Sequence, residues 1–259
     1  MTKLEAELYA LTHRGNPGDR AFYAKSCAGA QHVLELGTGY GRLIPDLLSA
    51  RPRISPDRVV IGLERDPAML AAAKRGVAQL SPGLRSQSRF VSGDMRDFDL
   101  AQRFDRIILP YNGLYCLLNR KDILRCFTCV KRHLAPGGEF IFDVWAADRF
   151  NRDMQLSVRS GNHRDDIDPI VSFAHHSQVW DVFEKSRLRT RVQRLDVTYT
   201  YIPRGRGTRV TILIEQRYAP STELRELVEL AGLRVKSMHG DFSGGRFKID
   251  SPHVVLRAE

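Results

Sequence analysis

Two rhythms of apolar residues alternate along the chain. Short continuous runs at Val33–Leu36, Val59–Leu63, Phe90–Val91, Ile107–Leu109 and Phe140–Val144 read as buried strands. Between them, apolar positions recur at helical spacing, as in Leu43, Ile44, Leu47 and Leu48, and again in Ile123, Phe127, Val130 and Leu134. Late in the chain a helix carrying Leu224, Leu227, Val228 and Ala231 precedes two more apolar runs, Leu233–Val235 and Val254–Leu256. Strands alternating with helices predict an α/β fold, a doubly wound, Rossmann-like and mostly parallel sheet of seven strands.

Residues 146 to 219 break that alternation. Ile170 to Val182, Arg187 to Ile202 and Arg209 to Tyr218 read as strands, the third placing Val210, Ile212 and Ile214 on one face. In the second, the apolar face moves from Leu188 and Val192 to Leu195, Val197, Tyr199 and Tyr201, which predicts a bulge near Gln193. The expected division is an N-terminal helical cap over 1–30, a core over 31–146, an inserted antiparallel sheet over 147–219, and a helix with a closing strand pair over 220–259.

The chemistry begins where the first strand ends. Gly37-Thr38-Gly39-Tyr40-Gly41-Arg42 sets three alternating glycines between strand and helix, so bare backbone can approach a ligand. A dinucleotide fingerprint would have its third glycine where Arg42 stands. Glu64 closes the second strand 23 residues beyond Gly41, where a carboxylate can accept ribose hydroxyls. Asp66-Pro67 then opens a helix as N-cap and first helical residue. The third strand runs into Asp94-Met95, the fourth into Pro110-Tyr111-Asn112, and Pro136-Gly137-Gly138 leads into the fifth.

Taken in order, these motifs resemble class I methyltransferases that use S-adenosylmethionine, over roughly residues 30 to 145 and 220 to 258. The lid-like insertion and the ending Gly240-Asp241-Phe242-Ser243-Gly244-Gly245 resemble the glycine- and aminosugar-methylating members. The resemblance implies S-adenosyl-L-methionine as cofactor and assigns its site to Tyr9, Arg14, Glu35, Gly37, Thr38, Gly39, Gly41, Arg42, Glu64, Arg65, Met69, Asp94, Met95, Pro110, Tyr111 and Asn112. Asp94 would accept from the adenine amine, Met95 would pack on the ring, Tyr9 would approach the sulfonium, and Arg14 or Arg42 would pair with the cofactor carboxylate. The expected reaction is direct in-line transfer of a methyl group to a nitrogen or oxygen of a small-molecule acceptor, without a metal. His175, His176 and Tyr115 are the catalytic candidates, the imidazoles as general bases.

Composition narrows the alternatives. At 259 residues and 42% hydrophobic, the chain can bury one good core and still carry an insertion. No apolar run reaches the roughly 18 residues of a membrane span, and Met1–Glu5 carries no apolar signal segment, which makes the expected location cytoplasmic. The net charge of +10 gathers partly in Lys185, Arg187, Arg189 and Arg191, read as one face of a strand. That stripe motivates an RNA methyltransferase as the competing reading. A non-catalytic cofactor-binding scaffold and a nicotinamide oxidoreductase are the others. A small-molecule methyl acceptor is the expected partner, nucleic acid and membrane are not, and a homo-oligomer is left open. Cys126, Cys129 and His133 read as packing residues of one helix rather than a zinc site.

Overall fold

The computed structural model describes residues 1–50, 58–148 and 168–259. A seven-stranded sheet forms the centre: β1 (His32–Leu36), β2 (Val59–Glu64), β3 (Ser88–Ser92), β4 (Phe104–Leu109), β5 (Leu134–Trp145), β10 (Val235–His239) and β11 (His253–Ala258). Its spatial order is β10-β11-β5-β4-β1-β2-β3. Only β11 runs against its neighbours, pairing antiparallel with both β5 and β10. Order therefore reverses between β1 and β4, and this is where an open α/β sheet leaves a crevice for ligand.

Side-chain alternation along the strands builds a core on each face. Leu34 and Leu36 of β1 point into one cluster with Phe127 and Val130 of α6 (Arg120–His133), and with Leu224 and Leu227 of α7 (Ser221–Leu230). Val33 points the opposite way, with Tyr23 of α2 (Asp19–Ser26) and Ile44 and Leu47 of α3 (Ile44–Ser49). The Pro-Gly-Gly segment lies inside β5, where the register against β4 jumps from Phe104–Leu134 to Arg106–Glu139. A Cβ on Gly138 would come within 2.8 Å of the Phe104 carbonyl, so the β4 backbone abuts this bulge. Cys126 and Cys129 are buried packing residues as expected. His133 Nε2 accepts from the Leu100 amide, and its Nδ1 lies 2.8 Å from the Cys129 carbonyl.

The insertion forms a separate antiparallel sheet of four strands: β6 (Val171–His175), β7 (Gln178–Arg189), β8 (Arg194–Pro203) and β9 (Val210–Arg217). Two sequence expectations are corrected here. The run Ile170 to Val182 folds back on itself at His176-Ser177, both at positive φ (49° and 61°). The register shift at Gln193 is a reversal between β7 and β8 rather than a bulge. Gln193 sits at φ 51° after a single 3₁₀ turn, Thr190–Val192. Arg191 accordingly leaves the stripe that Lys185, Arg187 and Arg189 begin. Carboxylates answer several sheet arginines: Arg189 and Arg194 reach Asp196, and Arg204 grips Asp181.

The inserted sheet packs through Trp180, Val182, Tyr201 and Ile212 on Leu8 of α1 (Lys3–Thr12). Tyr201 and Thr12 hydroxyls meet at 2.8 Å across this seam. The α1 helix is thus held between the inserted sheet and the core, over the carboxyl ends of the strands. No described helix is long and apolar enough to cross a membrane.

Candidate active site

The crevice at the carboxyl ends of β1, β2 and β4 opens into a cleft of about 410 Å³. Its floor is the glycine turn. Gly37 and Gly39 both take positive φ (60° and 57°), and the Thr38 amide continues the ladder by donating to Leu63 O at 3.0 Å. Gly41 (φ 77°) does not face the cleft but packs on α4 (Pro67–Ala78), where an added Cβ would lie 2.9 Å from Ala73 Cβ. The helix-packing duty of a third glycine therefore falls one position earlier than in the dinucleotide fingerprint.

Glu64 is fixed at the end of β2 by two backbone donors, Gly39 N at 2.9 Å and Asp66 N at 2.8 Å. Asp66 in turn caps α4, its Oδ1 accepting from the Ala68 and Met69 amides. Asp94 receives Arg96 Nη2 and Nε at 2.6 and 2.9 Å, and those hydrogen bonds hold its carboxyl below the ordinary range. Glu35 lies beneath the turn, 2% exposed, with one hydrogen bond from Thr38 Oγ1 at 2.7 Å. Burial pushes its pKa up to about 7.

The cleft brings together most of the residues expected from sequence. Tyr9, Glu35, Gly37, Thr38, Gly39 and Arg42 line it, with Glu64, Arg65, Met69, Asp94, Met95, Pro110 and Tyr111. The other six stand elsewhere. Arg14 turns its Nε to the Leu11 carbonyl, and Asn112 spends its Oδ1 on the Trp145 amide at 2.6 Å. Gly41 supports α4. Tyr115 is fully buried, its hydroxyl 3.0 Å from the carbonyls of both Trp145 and Ala219, so it ties β5 to the start of α7. His175 and His176 sit at the β6–β7 turn and meet Glu7 of α1 instead. The reversal at His176-Ser177, invisible as a periodic pattern, carries them away from the cleft.

Arg42 is held by Asp19 rather than left free for a ligand carboxylate, and its guanidinium stands 5.4 Å from the Tyr111 ring centroid. Below it, Asp143 accepts from Tyr23 Oη at 2.6 Å and from the Tyr111 amide at 2.9 Å. Burial raises the Asp143 pKa to about 6.

Of the far wall, the sequence reading names Tyr9 alone. His13 stacks on Tyr9 (centroids 3.8 Å apart, planes within 2°) and meets Tyr199 of β8 edge-on at 4.6 Å. Burial lowers the His13 pKa to about 4, so the ring is neutral at physiological pH. Its Nε2 is buried without a hydrogen-bond partner among the described residues. Ile212, Ile214 and Glu215 of β9 complete this side, joined by Cys116 beyond β4. The alternation of Val210, Ile212 and Ile214 was the available signal for β9. Nothing periodic marks His13.

The chain is similar to known methyltransferases. Residues 33–138 match the family model described as a methyltransferase domain. The chain is 27% identical over 227 residues to a dTDP-4-amino-2,3,4,6-tetradeoxy-D-glucose N,N-dimethyltransferase from Saccharopolyspora spinosa, covering 83% of this chain and 76% of that one. It is 22% identical to the cypemycin N-terminal methyltransferase of a Streptomyces species, covering 88% and 82%. Among solved structures, the CcbJ methyltransferase from Streptomyces caelestis shares the fold with a TM-score of 0.72 at 24% identity, over 93% of this chain and 88% of that one. An S-adenosylmethionine-dependent methyltransferase from Clostridium acetobutylicum gives 0.73 at 16% identity, over 98% and 96%.

Proposed function

We propose that the chain is a class I S-adenosylmethionine-dependent methyltransferase and that its acceptor is an amine of a small molecule. The observation that carries the reading is the convergence of Glu64, Asp94 and the Gly37–Gly39 backbone on one cleft at the switch point of the sheet. Both relatives named above methylate amines by their names.

The residues present fit the cofactor. Glu64 would offer a fixed carboxylate to ribose hydroxyls, Asp94 an acceptor to the adenine amine, and Met69 and Met95 apolar contact. Bound there, S-adenosylmethionine supplies a methyl group already activated by its sulfonium. The chain's part is then to orient the nucleophile and exclude water. The stacked rings of Tyr9 and His13 line the cleft for that purpose, with Tyr199 packed edge-on against His13. A neutral His13 adds no positive charge to a cleft that must hold a sulfonium cation.

Titration calorimetry with S-adenosylmethionine, S-adenosylhomocysteine and NAD tests the cofactor. A screen of amine and hydroxyl acceptors, read as S-adenosylhomocysteine released, tests the substrate class. Turnover confined to hydroxyl acceptors would overturn the amine reading while leaving the cofactor in place.

A further inference from the structure

Glu7, His175 and His176 offer a set of ligands that methyl transfer does not use. Nε2 of His175 lies 3.2 Å from Glu7 Oε2, and Nε2 of His176 lies 3.1 Å from the same oxygen. The three ligand atoms fall within 4.8 Å of one another. Adjacent residues of a strand normally point to opposite faces. Here His175 ends β6 and His176 begins the turn at φ 49°, so the two rings come to one side with centroids 4.0 Å apart. A non-glycine residue at positive φ costs free energy, and two successive ones, His176 and Ser177, hold this turn.

We propose that Glu7, His175 and His176 form a zinc site that fastens the inserted sheet to helix α1. Zinc bound at its usual distances of about 2.0–2.1 Å sets neighbouring ligand atoms of a tetrahedron roughly 3.3 Å apart. The observed nitrogen-to-oxygen separations need only a small adjustment to reach that value. Two imidazoles with one carboxylate select a borderline ion such as zinc over calcium or magnesium, which prefer all-oxygen shells. His176 is exposed, leaving the fourth position to water. Lys3 Nζ, a cation 3.8 Å from the other oxygen of Glu7, is 72% exposed, so it can swing into solvent as the ion enters. The site is structural in placement: α1 carries Tyr9 and His13 into the wall of the cleft, and the ion would lock that helix to the β6–β7 hairpin.

The test is calorimetric titration of ZnCl2 into tag-free, chelator-stripped protein, beside His175→Asn and His176→Asn. Circular dichroism of each variant checks its fold, and His176, at an exposed turn, is the safer of the two. The expected result is one zinc per chain, with affinity at least tenfold weaker in each folded variant. Cobalt substituted for zinc should show the visible d–d bands of a four-coordinate ion, lost in the same variants. Absence of zinc binding in the wild-type chain, or an isotherm that neither substitution changes, would overturn the proposal. Neither result bears on the cofactor cleft, which is read separately by S-adenosylmethionine binding.

Discussion

Asp19 and Arg42 meet as a buried fork, with Nη1 3.0 Å from Oδ1 and Nη2 2.7 Å from Oδ2. Asp19 is 1% exposed and also accepts from the Asn16 amide. The pair therefore fastens the loop between α1 and α2 to the end of the glycine turn. Removing one partner strands the other charge away from water. We expect Asp19→Ala to cost about 3 kcal/mol of unfolding free energy, measured by urea denaturation. Cofactor affinity should fall with it, since Arg42 lines the cleft. A loss below 1 kcal/mol would mean that water reaches Arg42 in the folded protein.

Two glycines separate backbone need from mere tolerance. Gly41 combines φ 77° with an approach to Ala73 that a methyl group would crowd. Gly41→Ala should destabilise the protein by about 1–3 kcal/mol and push α4, with Met69, away from the cleft. Gly76 lies within α4 with nothing inside 4 Å of its missing Cβ, at negative φ. Gly76→Ala should stabilise by about 0.5–1 kcal/mol. Equal effects in thermal unfolding of the two variants would contradict this contrast.

Glu35 makes stability depend on pH in an unusual direction. Its folded pKa, about 7, stands above the ordinary 4.5 because burial disfavours the charge. Between those values the folded state holds a proton that the unfolded state has lost, so this contribution declines as pH rises and is gone above about 7. Glu35→Gln keeps the acceptor for Thr38 and cannot ionise. Compared over pH 5 to 8, the variant should gain on the wild type by up to about 3 kcal/mol at the alkaline end. Parallel stability curves would show that Glu35 ionises freely in the folded protein.

The strand motifs were readable because each couples a buried run to a residue type that only a strand end requires. Gly37, Glu64 and Asp94 could thus be placed at one edge of the sheet without coordinates. The insertion was read less well. Leu188 to Leu195 shifts its apolar face whether a strand bulges or reverses, and Gln193, a non-glycine residue at positive φ, gives no turn signal of the usual glycine or asparagine kind. The same ambiguity hid the hairpin at His176-Ser177, and with it the distance of both imidazoles from the cleft. Tyr115 lies off the cleft for a different reason. Its position follows the fourth strand as expected, but the hydroxyl turns inward to backbone carbonyls. His13 stayed hidden because α1 reaches the cleft through a tertiary contact with Tyr199 that no local pattern encodes.

Asp94 offers the most direct trial of the cofactor assignment. Both oxygens already accept from Arg96, which also reaches Asp122 at 3.0 Å, so the carboxylate is charged and its orientation is fixed before any ligand arrives. Oδ1 already accepts from both the Arg96 amide and Arg96 Nε, whereas Oδ2 accepts only from Nη2 and retains a second acceptor position for an incoming N–H. Asp94→Ala removes that acceptor while Arg96 keeps Asp122, which limits the damage to the fold. S-adenosylmethionine affinity should fall at least tenfold, equivalent to about 1.4 kcal/mol or more for a hydrogen bond to a charged acceptor. Asp94→Asn keeps one oxygen acceptor and should fall between wild type and alanine. Calorimetry on all three proteins decides the matter: affinity indifferent to both substitutions would move the adenine away from β3 and reopen the orientation of the cofactor in the cleft.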